Sequence, residues 1–268
     1  MPDLRLQTTI DHGIATVTLN RPDKRNALDL AMYHAIDRAI RKFQRDRSLR
    51  AIILTGAGED FCSGLDIKSV FGNPLIALKL LWKWLPGNAN LAQRVSVGWR
   101  RLPVPVIAAI HGRCWGGGLQ IALGADYRIV GPDASLAIME AKWGIIPDMG
   151  GTLALRELLP VDVAMRLAST AETLTAEQAL AIGLVSQIAA DPLAAAMDLA
   201  RQFAERSPDS VAAVKRLYHQ AWSPAPRRIL ARETWLQWRL LLGANQKIAS
   251  TRAKDPSSQP YKPRSGGW

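Results

Sequence analysis

Two glycine-rich turns carry the residues whose types and spacing could do chemistry. The first is Phe61-Cys62-Ser63-Gly64-Leu65-Asp66, and the second is Gly112-Arg113-Cys114-Trp115-Gly116-Gly117-Gly118-Leu119-Gln120. Each follows an apolar run and leads into a helical pattern. Glycine allows a tight turn and lets a ligand approach backbone N–H groups with no Cβ in the way. The first turn of a helix leaves N–H groups without internal partners, so they can receive a developing anion. Two such turns side by side can aim two N–H groups at one oxygen, which is an oxyanion hole. Close packing of a helix on a strand would explain either turn taken alone.

Other site chemistries lack their patterns. The sequence contains neither GxGxxG nor GxxxxGK[ST], so a dinucleotide site and a P-loop are unsupported. His111 precedes the second turn without a GxSxG partner, so a hydrolase triad is unsupported and His111 reads as a strand-end structural residue. Cys62 and Cys114 are the two cysteines and form no CxxC pair. A disulfide framework and a zinc cluster are therefore excluded, no metal is expected, and both thiols read as small buried groups.

The 268 residues suit one large domain or a domain with a helical appendage. At 48% apolar, the chain can build a sizeable core. No apolar run approaches the roughly 20 residues that span a bilayer, and the first residues lack a signal core. A soluble, cytoplasmic protein with no membrane partner is expected. The net charge of +11 points either to a polyanionic partner or to a solvated arginine-rich surface.

The elements that must position the turns follow from periodicity. Residues 4–9 and 14–19 alternate in polarity around Asp11-His12-Gly13 and predict a hairpin. Asn26 is a candidate helix cap, with Asp29 three residues on; Leu28, Met32, Ile36, Ile40 and Phe43 then recur at helical spacing. Ala51–Thr55 predicts a strand, and strand, helix and strand in this order imply a right-handed crossover. The rhythm repeats with strands at Pro105–Ile110, Asp126–Val130 and Ala134–Ile138 and helices at Gly116–Ala122 and Gly150–Leu159. Thr175 and Gln178 form a capping box for a helix ending near Gly183. Helices at Leu193–Arg206, Ser210–Gln220 and Arg227–Leu242 follow, so a boundary is expected near residue 191. The stretch 70–99, with Trp82, Trp84 and Trp99, predicts either a pocket wall or a surface helix, and the last 18 residues read as an extended arm.

Taken in order, these segments resemble the crotonase (enoyl-CoA hydratase/isomerase) superfamily. The resemblance rests on Arg21-Pro-Asp-Lys-Arg-Asn-Ala-Leu28, Phe61 to Asp66, His111-Gly-(x3)-Gly-Gly-Gly118 and Gly144-Ile-Ile-Pro-Asp-Met-Gly-Gly-Thr152. Ala179-(x3)-Gly183-Leu-Val185 and Ser207-Pro208 with Lys215 extend it, so that it covers roughly residues 4–220. It implies an α/β fold, a crotonase-like spiral of ββα units with a C-terminal helical region. Residues 1–191 would form the acyl-CoA-binding core and 192–268 a helical oligomerisation region with an extended tail, assembling trimers or hexamers.

The resemblance also implies an enzyme that holds a thioester enolate with two backbone N–H groups, placed by position at Leu65 and Gly117. Coenzyme A would enter as part of the substrate, with no prosthetic group. Backbone around Arg25, Ala27, Ser63 and Ile67 would line its path, and Lys24 and Arg25 would meet its phosphates or adenine. Gly64, Asp66, Trp115 and Gly116, which flank the donors, would also bind the coenzyme, while Trp115 and Trp143 either narrow the acyl pocket or belong to the core. Hydratases of the family carry two glutamates; here Glu140 keeps one position and Gln120 occupies the other. Glutamine cannot exchange a proton near neutral pH, so Gln120 is expected to touch substrate without titrating. Asp148, eight residues after Glu140, matches an acidic residue of the family's dienoyl-CoA isomerases and carnitinyl-CoA dehydratases, or else caps a turn. Migration of an enoyl-CoA double bond is the first expectation; hydration or dehydration through Glu140 and Asp148 is the alternative. RNA binding, known for some proteins of this fold, is a minor alternative, because no RNP-type motif or dense basic stripe is present.

Overall fold

The computed structural model describes residues 5–71, 73–85, 88–221, 239, 242–252, 255 and 257–267. The helix expected at Arg227–Leu242 lies outside these residues except for Arg239 and Leu242.

Strands β1 (Leu6–Asp11) and β2 (Ile14–Leu19) form the expected hairpin, with Leu6 opposite Leu19 and Asp11 opposite Ile14. Its two-residue turn places His12 at φ 46° and Gly13 at φ 79°, the left-handed geometry that matches strand twist. Helix α1 (Leu30–Arg45) crosses to β3 (Ala51–Gly56), which pairs parallel with β2. Strands β4 (Val106–Ile110), β6 (Tyr127–Val130) and β9 (Gln187–Ile188) continue the sheet in the order β1-β2-β3-β4-β6-β9. Strand β5 (Arg113–Trp115) lies parallel to β7 (Ser135–Ala137), which pairs antiparallel with β8 (Thr173–Thr175) in a second, three-stranded sheet.

The spiral is visible in how each turn of the chain repeats. A long strand in the first sheet is followed by a short pairing in the second and then by a helical turn. The three repeats are β3, the Cys62–Cys114 bridge and α2 (Ile67–Phe71); β4, β5 and α5 (Gly117–Leu123); and β6, β7 and a 3-10 turn at Glu140–Trp143. Alternation along the central strands sorts side chains to two faces. Ile52, Leu54, Val106 and Ala108 join the large core under α1 and α4 (Leu91–Arg100). Ala51, Ile53, Ile107 and Ala109 meet Ala196 and Ala200 of α9 (Pro192–Ala204) on the other face. The first helix beyond residue 191 thus covers the main sheet.

Helices α3 (Pro74–Leu81), α6 (Thr152–Leu158), α7 (Val161–Thr170), α8 (Ala176–Ala181), α10 (Pro208–Ala221) and α11 (Ala244–Arg252) complete the described elements. The Thr175–Gln178 capping box opens α8 as expected. The cap of α1 is Asp29, whose side chain accepts from Met32 N, so the placement of the cap at Asn26 is corrected. Asn26 sits at φ 55° in the preceding loop, and an N-cap needs extended backbone, which Asp29 has. The tail is extended but tied down: Arg264 N donates to Arg47 O, and Ser265 N and Oγ donate to Asp209. Among the described residues no helix is long and apolar enough to cross a membrane.

Candidate active site

The two glycine turns meet, and peptide geometry aims their N–H groups. Leu28 N donates to Gly64 O at 2.8 Å and Asp66 N donates to Leu28 O at 3.0 Å, so Leu65 is bridged in parallel to Leu28. In a trans peptide the C=O and N–H point in opposite directions. The Leu65 N–H, sharing its peptide with the Gly64 carbonyl, therefore points away from Leu28. The same logic applies to Gly117, the first residue of α5. Gly116 O accepts from Gln120 N at 3.0 Å, so the Gly117 N–H points outward from the helix start. Gly64, at φ 93°, brings the two together: a Cβ there would sit 2.8 Å from Trp115 O and 3.3 Å from Gly117 N. Among the described residues neither N–H has a hydrogen-bond partner.

Leu65 and Gly117 line a cavity of about 770 Å3 that also takes in Glu140 and Asp148. Glu140 opens the 3-10 turn and is 7% exposed. Its Oε1 accepts from Gln120 Nε2 at 2.6 Å, while Oε2 is buried without a partner among the described residues. Burial pushes its pKa above the ordinary carboxylate range, against the Gln120 bond, and the nearby Asp148 charge adds to the rise. Burial also pushes Asp148 up, with Lys83 opposing. Asp148 does not cap α6, whose N-cap is Gly151 with no side-chain bond.

Gln120 is 1% exposed, and its Oε1 accepts from Met149 N at 2.9 Å and Gly151 N at 3.3 Å. Its amide thus ties the turn bearing Glu140 to the loop bearing Asp148. It is not among the cavity-lining residues, and both ends of its amide are taken by protein partners.

Ser63, Gly64, Ile67, Trp115 and Gly116 line the cavity, whereas Lys24, Arg25, Ala27 and Asp66 do not. Lys24 and Arg25 are exposed beside it, and Arg25 O accepts from Ser63 N at 3.0 Å. The Asp66 carboxylate accepts from Arg21 at 2.7 Å and from Ser69 N at 3.2 Å, which commits it to the frame. Asn26 Oδ1 accepts from Arg21 N, and its Nδ2 donates to Ala57 O and Asp60 O. The stretch 70–99 supplies pocket wall through Val70, Leu80, Leu81 and Ala92. Trp143 lines the cavity with Trp115, and Trp99 is core.

Sequence reasoning missed Tyr33 and Met149, which line the cavity from α1 and from the loop after Asp148. Tyr33 falls on the buried face of α1, where periodicity reads it as core. His111 Nε2 lies 3.1 Å from Gly58 O, in keeping with a structural role. Both cysteines are buried and free, and burial pushes the Cys62 thiol up to about 12, where it is a poor nucleophile. Among the described residues no cluster of His, Cys, Asp and Glu could hold a metal ion.

Comparison with known proteins agrees with this geometry. The family model described as Enoyl-CoA hydratase/isomerase matches residues 9–247. A carnitinyl-CoA dehydratase from Salmonella arizonae is 38% identical over 216 residues, 79% of each chain. The enoyl-CoA hydratase structure from Bacillus anthracis superposes with a TM-score of 0.86 at 26% identity, covering 97% of this chain and 100% of that one. The enoyl-CoA hydratase from Mycobacterium tuberculosis H37Rv gives a TM-score of 0.85 at 27% identity, covering 97% and 99%.

Proposed function

The chain belongs to the enoyl-CoA hydratase/isomerase family, and from that premise we propose that it shifts a double bond within an enoyl-CoA. Glu140 removes a proton from the acyl chain, and the electrons move onto the thioester oxygen. The Leu65 and Gly117 N–H groups hold that oxygen as an enolate. Return of the proton to a different carbon, from Glu140 or from Asp148, completes the migration with no change in mass. Coenzyme A enters as part of the substrate, with Lys24 and Arg25 as partners for its phosphates.

The observation that carries this reading is the Gln120–Glu140 bond. A hydratase needs a second carboxylate beside the first to hold and activate water. Here that place is an amide whose two ends are spent on Glu140 and on the Met149 and Gly151 N–H groups. Burial raises the pKa of both Glu140 and Asp148, which makes each a better proton acceptor than an ordinary carboxylate.

A second reading is dehydration of a 3-hydroxyacyl-CoA, or its reverse, with Asp148 protonating the leaving hydroxyl. It is favoured by the similarity to carnitinyl-CoA dehydratases and by the presence of Asp148 in the cavity. Incubating the protein with 2-enoyl-, 3-enoyl- and 3-hydroxyacyl-CoA and weighing the products separates the two. Double-bond migration leaves the mass unchanged; gain or loss of one water without migration overturns it. Assembly into trimers or hexamers through residues 192–268 is part of the proposal and is read by light scattering.

A further inference from the structure

Tyr33 is the cavity group that the proposed chemistry leaves unused. It comes from the inner face of α1, is 1% exposed, and lines the same cavity as Glu140 and Asp148. Among the described residues its hydroxyl has one partner, Met149 Sδ at 3.5 Å. A thioether is a weak acceptor, so the phenol proton is close to unsatisfied. Buried polar groups are nearly always hydrogen-bonded, and an exception asks for an explanation. Burial, with Asp148 and Glu140 adding to it, pushes the phenol pKa up, so the group can donate but not act as a base. Met149 locates it. The thioether sulfur lies 2.9 Å from where a Cβ on Gly117 would stand, so the hydroxyl is one side chain away from the oxyanion glycine. An acceptor for it therefore lies within a few atoms of the thioester, in the part of the cavity that Tyr33 shares with Glu140 and Asp148.

We propose that Tyr33 selects substrates whose acyl chain carries an oxygen function, such as a hydroxyl or carbonyl, near the thioester. Beyond the carboxylates, much of the surrounding wall is apolar: Leu65, Val70, Leu80, Ala92 and Met149. A plain aliphatic chain leaves the phenol unpaired against this wall. An oxygen-bearing chain pairs it, and a site built to hydrogen-bond a substrate group rejects the analogue lacking it. The inference rests on the acyl-CoA reading of this cavity but not on which proton transfer follows.

The test is binding, so that chemistry does not intervene. Dissociation constants for a 3-hydroxyacyl-CoA and its chain-matched saturated acyl-CoA are measured calorimetrically on Glu140→Gln and on Glu140→Gln/Tyr33→Phe. The first protein is expected to favour the oxygenated ligand by about tenfold, the scale of one hydrogen bond to a buried donor. Removing the phenol is expected to bring the ratio to about one. A ratio that Tyr33→Phe leaves unchanged, or no preference in its parent, overturns the inference. Met149→Leu on the same parent removes the competing thioether and is expected to keep or raise the ratio; its loss there also overturns the inference. If Glu140→Gln proves fully active while the selectivity holds, the proposed chemistry fails and the role of Tyr33 stands.

Discussion

The two sides of the cavity are built in different ways. The side that bears the proposed oxyanion donors is backbone held by backbone: Leu28, Cys62, Gly64, Asp66, Arg113 and Trp115 exchange main-chain bonds of 2.8–3.0 Å across the two turns. The carboxylate side is a 3-10 turn and a loop, with Trp143 and Ile146 exposed, tied together by the single amide of Gln120. A ladder places N–H groups with little help from side-chain identity. A loop places carboxylates through whichever side chain ties it. The hole should therefore tolerate substitutions that spare its backbone, while the acid/base side should respond to single side-chain changes.

The largest expected effect is on the carboxylate side. Glu140→Gln should lower turnover about a thousandfold, within the range for loss of a general base, while acyl-CoA binding survives. Normal rates in that variant, with migration, hydration and dehydration all assayed, would leave the loop without chemistry and dissolve the contrast. Gly64→Ala tests the other side. The new Cβ would press on Trp115 O at φ 93°, so the backbone must shift. A rate loss of about a hundredfold or more is expected, as for a lost oxyanion donor, together with a lower Tm. A full rate with an unchanged Tm would show that the ladder does not set the hole.

Asp148→Asn should cost about tenfold if it returns or donates a proton, a modest share of acid/base catalysis. An effect equal to that of Glu140→Gln would sharpen the contrast, since both carboxylates would then be indispensable. The smallest change is expected from Gln120→Met, which keeps volume but removes the tie. The Gln120 bond lowers the Glu140 pKa, so losing it raises that pKa further. The base is then protonated up to a higher pH, and the acid limb of the kcat/KM profile should move upward with only a several-fold loss at its plateau. A downward move would show that the amide serves some other purpose.

Much of this site was legible from local rules. Gly64 and Gly116 had to be glycine, and both take positive φ. Glu140 came from the resemblance to the family, and it lines the cavity. Asn26 and Asp29 were harder to separate, because both residue types cap helices and they stand three apart. The choice was made by Arg21, Ala57 and Asp60, which hold Asn26 in the loop and leave Asp29 to the helix. Gln120 was recognised as a departure from the two-glutamate pattern, but its direction was not readable, since its partners lie 20 to 31 residues away.

Resemblance to a family pointed to Glu140 as the base; by itself, the sequence determined the alternation of strands and helices and the two turns that carry free N–H groups. Those properties follow from periodicity, from the missing Cβ of glycine and from the unpaired first turn of a helix, all of which act over a few residues. Only the tertiary structure decided that the turns face one cavity, that Gln120 bonds Glu140, and that a phenol lines the same cavity. Tyr33 and Met149 are 116 residues apart, and their meeting depends on how α1 packs against the loop after Asp148. Contacts of that kind are set by the closing of the core, where pattern along the chain carries no distance.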